Sequence, residues 1–167
     1  MFRCNTSISR IFSTLYSSKF FAGLFPFLVN IVDPQSPKLG KILQDIKNPS
    51  KFWTPFGLRS LSKSATIYNK RNTEHDAPYW RGPIWININY LTVRALHFYG
   101  NQEGPYKKEA LDIYTKLRTA LINNIYEQYL KTGFIWEQYD DKTGNGKGCR
   151  PFTGWSALVV LMMGENY

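Results

Sequence analysis

The hexapeptide Trp136-Glu137-Gln138-Tyr139-Asp140-Asp141 sets a carboxylate between aromatic rings and adds two more acids ahead of a glycine-rich turn. That arrangement suits hydrolysis of a glycosidic bond, in which a carboxylate activates water at an anomeric carbon while rings and amides fix the sugar. The same six residues also fit a capped helix end whose acids are merely solvated, and the spacing alone leaves both readings open. A second cluster, Asn72-Thr73-Glu74-His75-Asp76 followed by Tyr79-Trp80-Arg81-Gly82, offers acids, an imidazole and a guanidinium. Glu74, His75 and Asp76 are sequence neighbours whose side chains diverge, so a metal would need His97 or another distant ligand. A hydrogen-bonded structural His75 is the simpler reading, and no metal is expected. From Asp141 to Gly146 the chain matches a calcium loop at its first, fifth and sixth places. Thr143 at the third and Phe152 at the twelfth break the match. Signatures of serine nucleophiles, phosphate loops and dinucleotide sites are absent, and no cofactor is expected.

Both clusters must be held by something. Asp33 to Pro37 reads as a turn with two prolines, after which Leu39, Ile42, Leu43 and Ile46 recur at helical spacing until Asn48-Pro49. Residues 52–83 carry Pro55, Gly57, Pro78, Gly82 and Pro83 with little periodicity, which predicts a long loop. Its Trp53, Phe56, Tyr68, Tyr79 and Trp80, with Trp85 just beyond, argue against disorder. Ile84, Ile88, Leu91, Ala95 and Phe98 then predict a helix ending near Gly100, with Pro83 in its first turn. A longer helix is predicted over 105–131, with Leu111, Tyr114, Leu117, Leu121 and Ile125 as its buried stripe and Gly133 as its stop. Residues 134–152 form a second aromatic loop, and Thr153 is placed to cap a last helix over 155–163. No strand alternation is visible. The expected architecture is all-α, about five helices joined by two long aromatic loops on which function should sit.

The chain has 167 residues with 43% hydrophobic content, enough for one domain with a core. Its formal charge of +9 comes from scattered Lys and Arg, the longest runs being pairs such as Lys107-Lys108, so no nucleic-acid partner is expected. Aromatic content is 16%, with five Trp and eleven Tyr, which suits either a core with polar anchors or a platform for sugar rings. Cys4 and Cys149 are too few for a disulfide framework. The first nineteen residues combine Arg3, Arg10 and Lys19 with many Ser and no acid, like a transit segment, and contain an Asn5-Thr6-Ser7 sequon. The apolar stretch from Phe20 to Val32 is interrupted by Pro26 and falls short of the ~20 residues of a spanning helix.

Three long stretches carry a resemblance. FWTPFGLRSLSKS from Phe52, YNKRNTEHDAPYWRGPIWININYL from Tyr68 and GFIWEQYDDKTGNGKGCRPFTGWSALVVLMM from Gly133 are similar, in order, to the end of the processing α-glucosidases of glycoside hydrolase family 63. The resemblance covers residues 22–167 and leaves residues 1–21 as a divergent segment. It implies part of an (α/α)₆ toroid with active-site loops and an inverting cleavage that removes the terminal α-1,2-linked glucose of the N-glycan precursor. It places that work in the lumen of the endoplasmic reticulum. It makes Glu137 the general base and assigns Arg59, Trp80, Arg81, Trp85, Trp136 and Tyr139 to the glucose pocket. The family's general acid, an aspartate in an upstream motif, has no counterpart here. The chain is therefore expected to be a fragment, inactive alone, whose partner is the missing N-terminal part of the domain. If the toroid is incomplete, helix faces around Leu91 and Leu121 should be exposed and self-associating. The alternatives are a carbohydrate-binding helical remnant without the chemistry and a basic scaffold for an acidic partner.

Overall fold

A computed structural model of the protein describes residues 21–71 and 73–167. The transit-like start, the Asn5 sequon, Cys4 and Asn72 lie outside the described residues. A 3₁₀ turn (Phe21–Leu24) leads into a one-turn helix α1 (Phe25–Leu28), which buries Phe27 and Leu28. Helix α2 (Pro37–Ile46) matches its sequence signals. Pro37 occupies the first turn, the Ser36 side chain accepts the Lys38 N–H at 3.3 Å, and Leu39, Ile42, Leu43 and Ile46 are buried.

Helices α3 (Ile86–Asn101) and α4 (Lys107–Thr132) pack along each other as the central pair. α4 ends as expected, with Gly133 at φ 73° donating its N–H to the Tyr129 carbonyl at 2.8 Å. Its buried stripe runs through Ala110, Ile113, Tyr114, Leu117, Leu121, Asn124, Ile125 and Gln128. Leu111, expected in that stripe, is 37% exposed, one helical step to the side, where it covers Gly100 of α3. α3 starts two residues later than its hydrophobic pattern suggests, because Ile84 serves as a strand residue and Pro83 precedes the helix altogether. Its buried face includes Ile86, Val93 and Leu96 but also Asn89 and Thr92, while Ile88, Leu91 and Phe98 pack only partly buried at its edge. Two buried polar residues on one helix face are what the hydrophobic pattern cannot reveal. The final helix splits into a 3₁₀ turn (Trp155–Leu158) and α5 (Val159–Met163). Gly154, not Thr153, precedes it, and no side chain caps it.

Within the loops lie four two-residue strands for which no sequence pattern prepared. β1 (Trp53–Thr54) pairs antiparallel with β2 (Gly57–Leu58), and β3 (Gln138–Tyr139) with β4 (Gly146–Lys147). Isolated bridges join Arg59 to Ile84 and Ile84 to Tyr139, so both loops meet at Ile84. Two residues are too few to display a period of two. The whole is helix-rich, with the loops layered over the start of α3.

Asn89, fully buried, ties that layer to the helix. Its Oδ1 accepts the Leu58 N–H at 2.8 Å, and its Nδ2 donates to the carbonyls of Leu58 at 2.9 Å and Trp85 at 2.8 Å. Tyr99 similarly fixes the segment after α1, its hydroxyl accepting from Val32 N and donating to Val32 O at 3.1 and 3.0 Å. The expected exposure of Leu121 does not occur, since that side chain is wholly buried, and Leu91 is half-buried. The exposed apolar surface instead forms a groove of about 240 Å³ lined by residues including Ile122, Tyr126, Tyr129, Val160 and Met163. Among the described residues no helix is long and apolar enough to cross a membrane. Replacing Asn89 by Leu should cost about 2–4 kcal/mol in urea unfolding, because it strands buried backbone groups of Leu58 without partners. A loss below about 1 kcal/mol would show that the clamp is dispensable.

Candidate active site

Glu137 stands just before β3, 7% exposed, with both carboxylate oxygens engaged. Oε1 accepts the Tyr79 hydroxyl, and Oε2 accepts the backbone N–H of Cys149 at 3.0 Å. The Glu137 backbone is fixed from both directions. Its N–H donates to the Cys149 carbonyl at 3.1 Å, and its own carbonyl accepts the Trp155 indole N–H at 2.7 Å. Ser156, fully buried, donates its hydroxyl to the Trp136 carbonyl at 2.6 Å. Gly148 (φ 75°) lies against the carboxylate, and a Cβ there would collide with Oε2. Both its backbone conformation and its space require glycine.

Tyr79 is itself held by aromatic packing. Its ring meets Trp85 edge-on at 4.6 Å, and the Trp85 indole N–H donates to the Tyr79 carbonyl at 3.0 Å. Trp80, 39% exposed, stacks on Trp85 at 3.9 Å with 7° between planes, and Trp155 packs on the same indole at 5.4 Å. The outcome is a carboxylate bound to Tyr79, whose ring leans on the buried Trp85, with the partly exposed Trp80 stacked on that same indole. An open cavity of about 400 Å³ adjoins Tyr79, lined by residues including Asp76, Tyr79, Gln138, Lys147 and Gly148.

An oriented, largely buried carboxylate next to a stacking ring and a cavity is the equipment of a carbohydrate-cleaving site. Residues 9–165 match the family model described as glycosyl hydrolase family 63 C-terminal domain. The chain belongs to that family. It is 52% identical over 88% of its length to the mannosyl-oligosaccharide glucosidase GCS1 of Arabidopsis thaliana. It is 36% identical over 87% of its length to the mannosyl-oligosaccharide glucosidase of Saccharomyces cerevisiae. It spans 17% of the length of each of these relatives. Among solved structures it shares the fold of the GH63 mannosylglycerate hydrolase from Thermus thermophilus in complex with Tris and D-glycerate. There the TM-score is 0.66 at 22% identity, covering 89% of this chain and 30% of that one.

Not every residue expected in the pocket of this family 63 chain is free to reach a ligand. Trp85 is 1% exposed and Tyr139 fully buried, so both act beneath the surface, the first as the floor of the Trp80 stack and the second through its backbone pairing to Ile84. Arg59, 6% exposed, is committed inward. Its Nε donates to Asp141 Oδ2 at 3.0 Å and its Nη1 to the carbonyls of Pro49 and Lys51 at 2.7 and 3.0 Å. The Tyr68 hydroxyl donates to the same Asp141 oxygen at 2.5 Å. Arg81 donates to the Arg71 carbonyl at 3.1 Å, away from Glu137's own partners. Trp136 is partly buried under the Arg150 guanidinium, 4.7 Å from the ring, with its indole N–H on Thr132 at 3.1 Å. Asp140 holds the following turn, its Oδ1 accepting the N–H groups of Lys142 and Thr143 at 2.9 Å each. His75 is exposed in its loop, while His97 packs between Tyr114 and Tyr167. Among the described residues no three His, Cys, Asp or Glu side chains gather as metal ligands. Sequence reasoning missed Tyr79 as a partner of Glu137, and with it Gly148, Trp155 and Ser156. The aromatic–glycine composition of both loops was the only signal for them.

The Tyr79 hydroxyl, aided by the Cys149 N–H, holds the Glu137 carboxyl below the ordinary glutamate range against the upward push of burial. The same bond, with burial, pushes the Tyr79 phenol up to about 12. A carboxyl whose folded value is lowered contributes stability above its unfolded value, and that contribution is lost as pH falls through the folded one. In Tyr79→Phe, burial is opposed by less, so the Glu137 carboxyl should titrate at higher pH in a carbon-13 NMR titration of the chain. An unchanged midpoint would mean that the Tyr79 bond is not made in solution.

Proposed function

We propose that Glu137 is the general base of an inverting α-glucosidase, and that the protein carrying this segment removes the terminal α-1,2-linked glucose from the N-glycan precursor. The observation that carries the reading is the Glu137 carboxylate itself, oriented by donors from two different loops, one of them the Tyr79 phenol at the edge of an open cavity. Inversion needs a base that holds a water against the anomeric carbon, and a carboxylate has about four lone-pair sites, so Glu137 keeps room for that water beside its Tyr79 and Cys149 donors. Trp80 and Tyr79 form the sugar-facing wall. Arg59, Trp85 and Tyr139 support that wall from within, while Arg81 and Trp136 border it. The 52% identity to a protein named a mannosyl-oligosaccharide glucosidase supports the substrate, and action in the lumen of the endoplasmic reticulum is part of the same proposal. The helices are assigned to one sector of an (α/α)₆ toroid.

The leaving oxygen needs an acid, with the two carboxyl groups roughly 6.5–9.5 Å apart. Asp141 is engaged by Arg59 and Tyr68, and Asp140 by its turn, so neither is free for the role. The family resemblance assigns the acid to the part of the catalytic domain that this chain does not span, and Glu74 and Asp76, the latter on the cavity wall, are the carboxyl groups that turnover by the chain alone would implicate. The 167-residue chain alone should release no glucose from an α-1,2-linked glucose disaccharide. In a full-length enzyme containing the segment, Glu137→Gln should lower kcat by at least about 10²-fold with little change in KM. Turnover by the chain alone would place the acid within it, and an active Glu137→Gln enzyme would remove Glu137 as the base.

A further inference from the structure

Gln138 is a buried residue, beside the proposed site, whose side chain neither the fold nor the proposed chemistry uses. It is 5% exposed, and its carboxamide makes no hydrogen bond among the described residues: Oε1 is closed off from solvent without a partner, so the end of the carboxamide that keeps access is Nε2. Such a group costs stability and persists where something else offsets the loss. Gln138 sits in register with Lys147 across β3 and β4, and both line the cavity of about 400 Å³ beside Glu137. Tyr79 and Gly148 belong to the same wall, and each also touches the Glu137 carboxylate. Asp76 lines the cavity as well.

We infer that Gln138 is a specificity-determining residue that reads a sugar hydroxyl in this cavity. A carboxamide both donates and accepts, and a half-turn about its last torsion exchanges the two ends, so it matches a hydroxyl, which does the same. Lys147 is paired with Asp140 Oδ2 at 3.6 Å, and the carboxylates of Asp76 and Glu137 add negative charge around the cavity, which disfavours an anionic ligand. The volume admits a pyranose ring, and the Tyr79 ring supplies an apolar wall for it. An unpartnered carboxamide that presents either end to the cavity after a half-turn discriminates against an analogue lacking the hydroxyl.

The inference rests on the proposed carbohydrate site, and two experiments separate their failures. The 167-residue chain is titrated with the α-1,2-linked glucose disaccharide by nitrogen-15 NMR, as wild type, Gln138→Leu and Gln138→Glu, with melting temperatures measured in parallel. Millimolar binding is expected for the wild type, a loss of about tenfold or more in Gln138→Leu, and retention in Gln138→Glu, which keeps an acceptor. Gln138→Leu should also melt higher than wild type, since it removes an unpaired buried group. A merely structural Gln138 would make it melt lower. Equal binding by wild type and Gln138→Leu, no binding by wild type, or a lower melting temperature in Gln138→Leu overturns the inference. Gln138-dependent binding combined with an active Glu137→Gln full-length enzyme would leave it standing while the assignment of the base fell.

Discussion

The buried ion pair between Arg59 and Asp141 is the constraint on which the loop layer depends. Both side chains are almost wholly out of water, and the pair joins the loop after β2 to the loop after β3. Removing two charges from water is expensive, and the cost is offset only when their remaining hydrogen-bonding groups are met. They are met here: the guanidinium also serves the Pro49 and Lys51 carbonyls, and the carboxylate also accepts Tyr68. Burial and the Asp141 carboxylate together raise the Tyr68 phenol, which keeps it a hydrogen-bond donor at any physiological pH. Breaking such a pair from one side leaves an uncompensated charge, typically at a cost of about 3–5 kcal/mol.

From that pair the order passes to Glu137 through backbone. Arg59 bridges to Ile84, and Ile84 exchanges hydrogen bonds with Tyr139 at 2.8 and 3.0 Å, which sets β3 against the entry to α3. Ile84 also delivers Trp85, whose indole fixes Tyr79 from one side and supports Trp80 from another. Tyr79 then reaches Glu137, whose backbone is held by Cys149 and Trp155. Every step is a hydrogen bond or a ring contact in a segment with hardly any regular structure. Segments of this kind satisfy their buried polar groups through side chains, and Asn89 does the same for β2.

Helices α2 and α4 were legible because their apolar residues recur at helical spacing and their ends carry proline, serine or glycine. α3 was legible as a helix but not in its facing, since Asn89 and Thr92 occupy core positions for hydrogen-bonding reasons invisible to a hydrophobic pattern. Glu137 stood out as a carboxylate between aromatic residues. The resemblance pointed to Trp85 and Tyr139 as pocket walls, yet their burial depends on partners more than fifty residues away for Tyr139 and on the Trp80 stack for Trp85. The Tyr79–Glu137 contact joins residues 58 apart, so it existed in the sequence only as composition.

The Tyr79 bond also decides what kind of help Glu137 would receive in the proposed role of base. Near neutral pH an unperturbed glutamate is already ionised in all but about one molecule in 500, so lowering its value adds almost no further base. By Brønsted behaviour it makes each carboxylate a slightly weaker proton acceptor. The gain must therefore lie in position. With one lone pair of Oε1 given to a phenol and one of Oε2 to a backbone N–H, the carboxylate cannot rotate, and the remaining lone pairs point in fixed directions. A water taken up there is oriented before any sugar arrives, and such prior orientation contributes more to a displacement than a modest loss of basicity removes. This accounts for Trp85, Trp155, Ser156 and Gly148, none of which carries a group that titrates near neutral pH, and all of which hold Glu137 or its partner still.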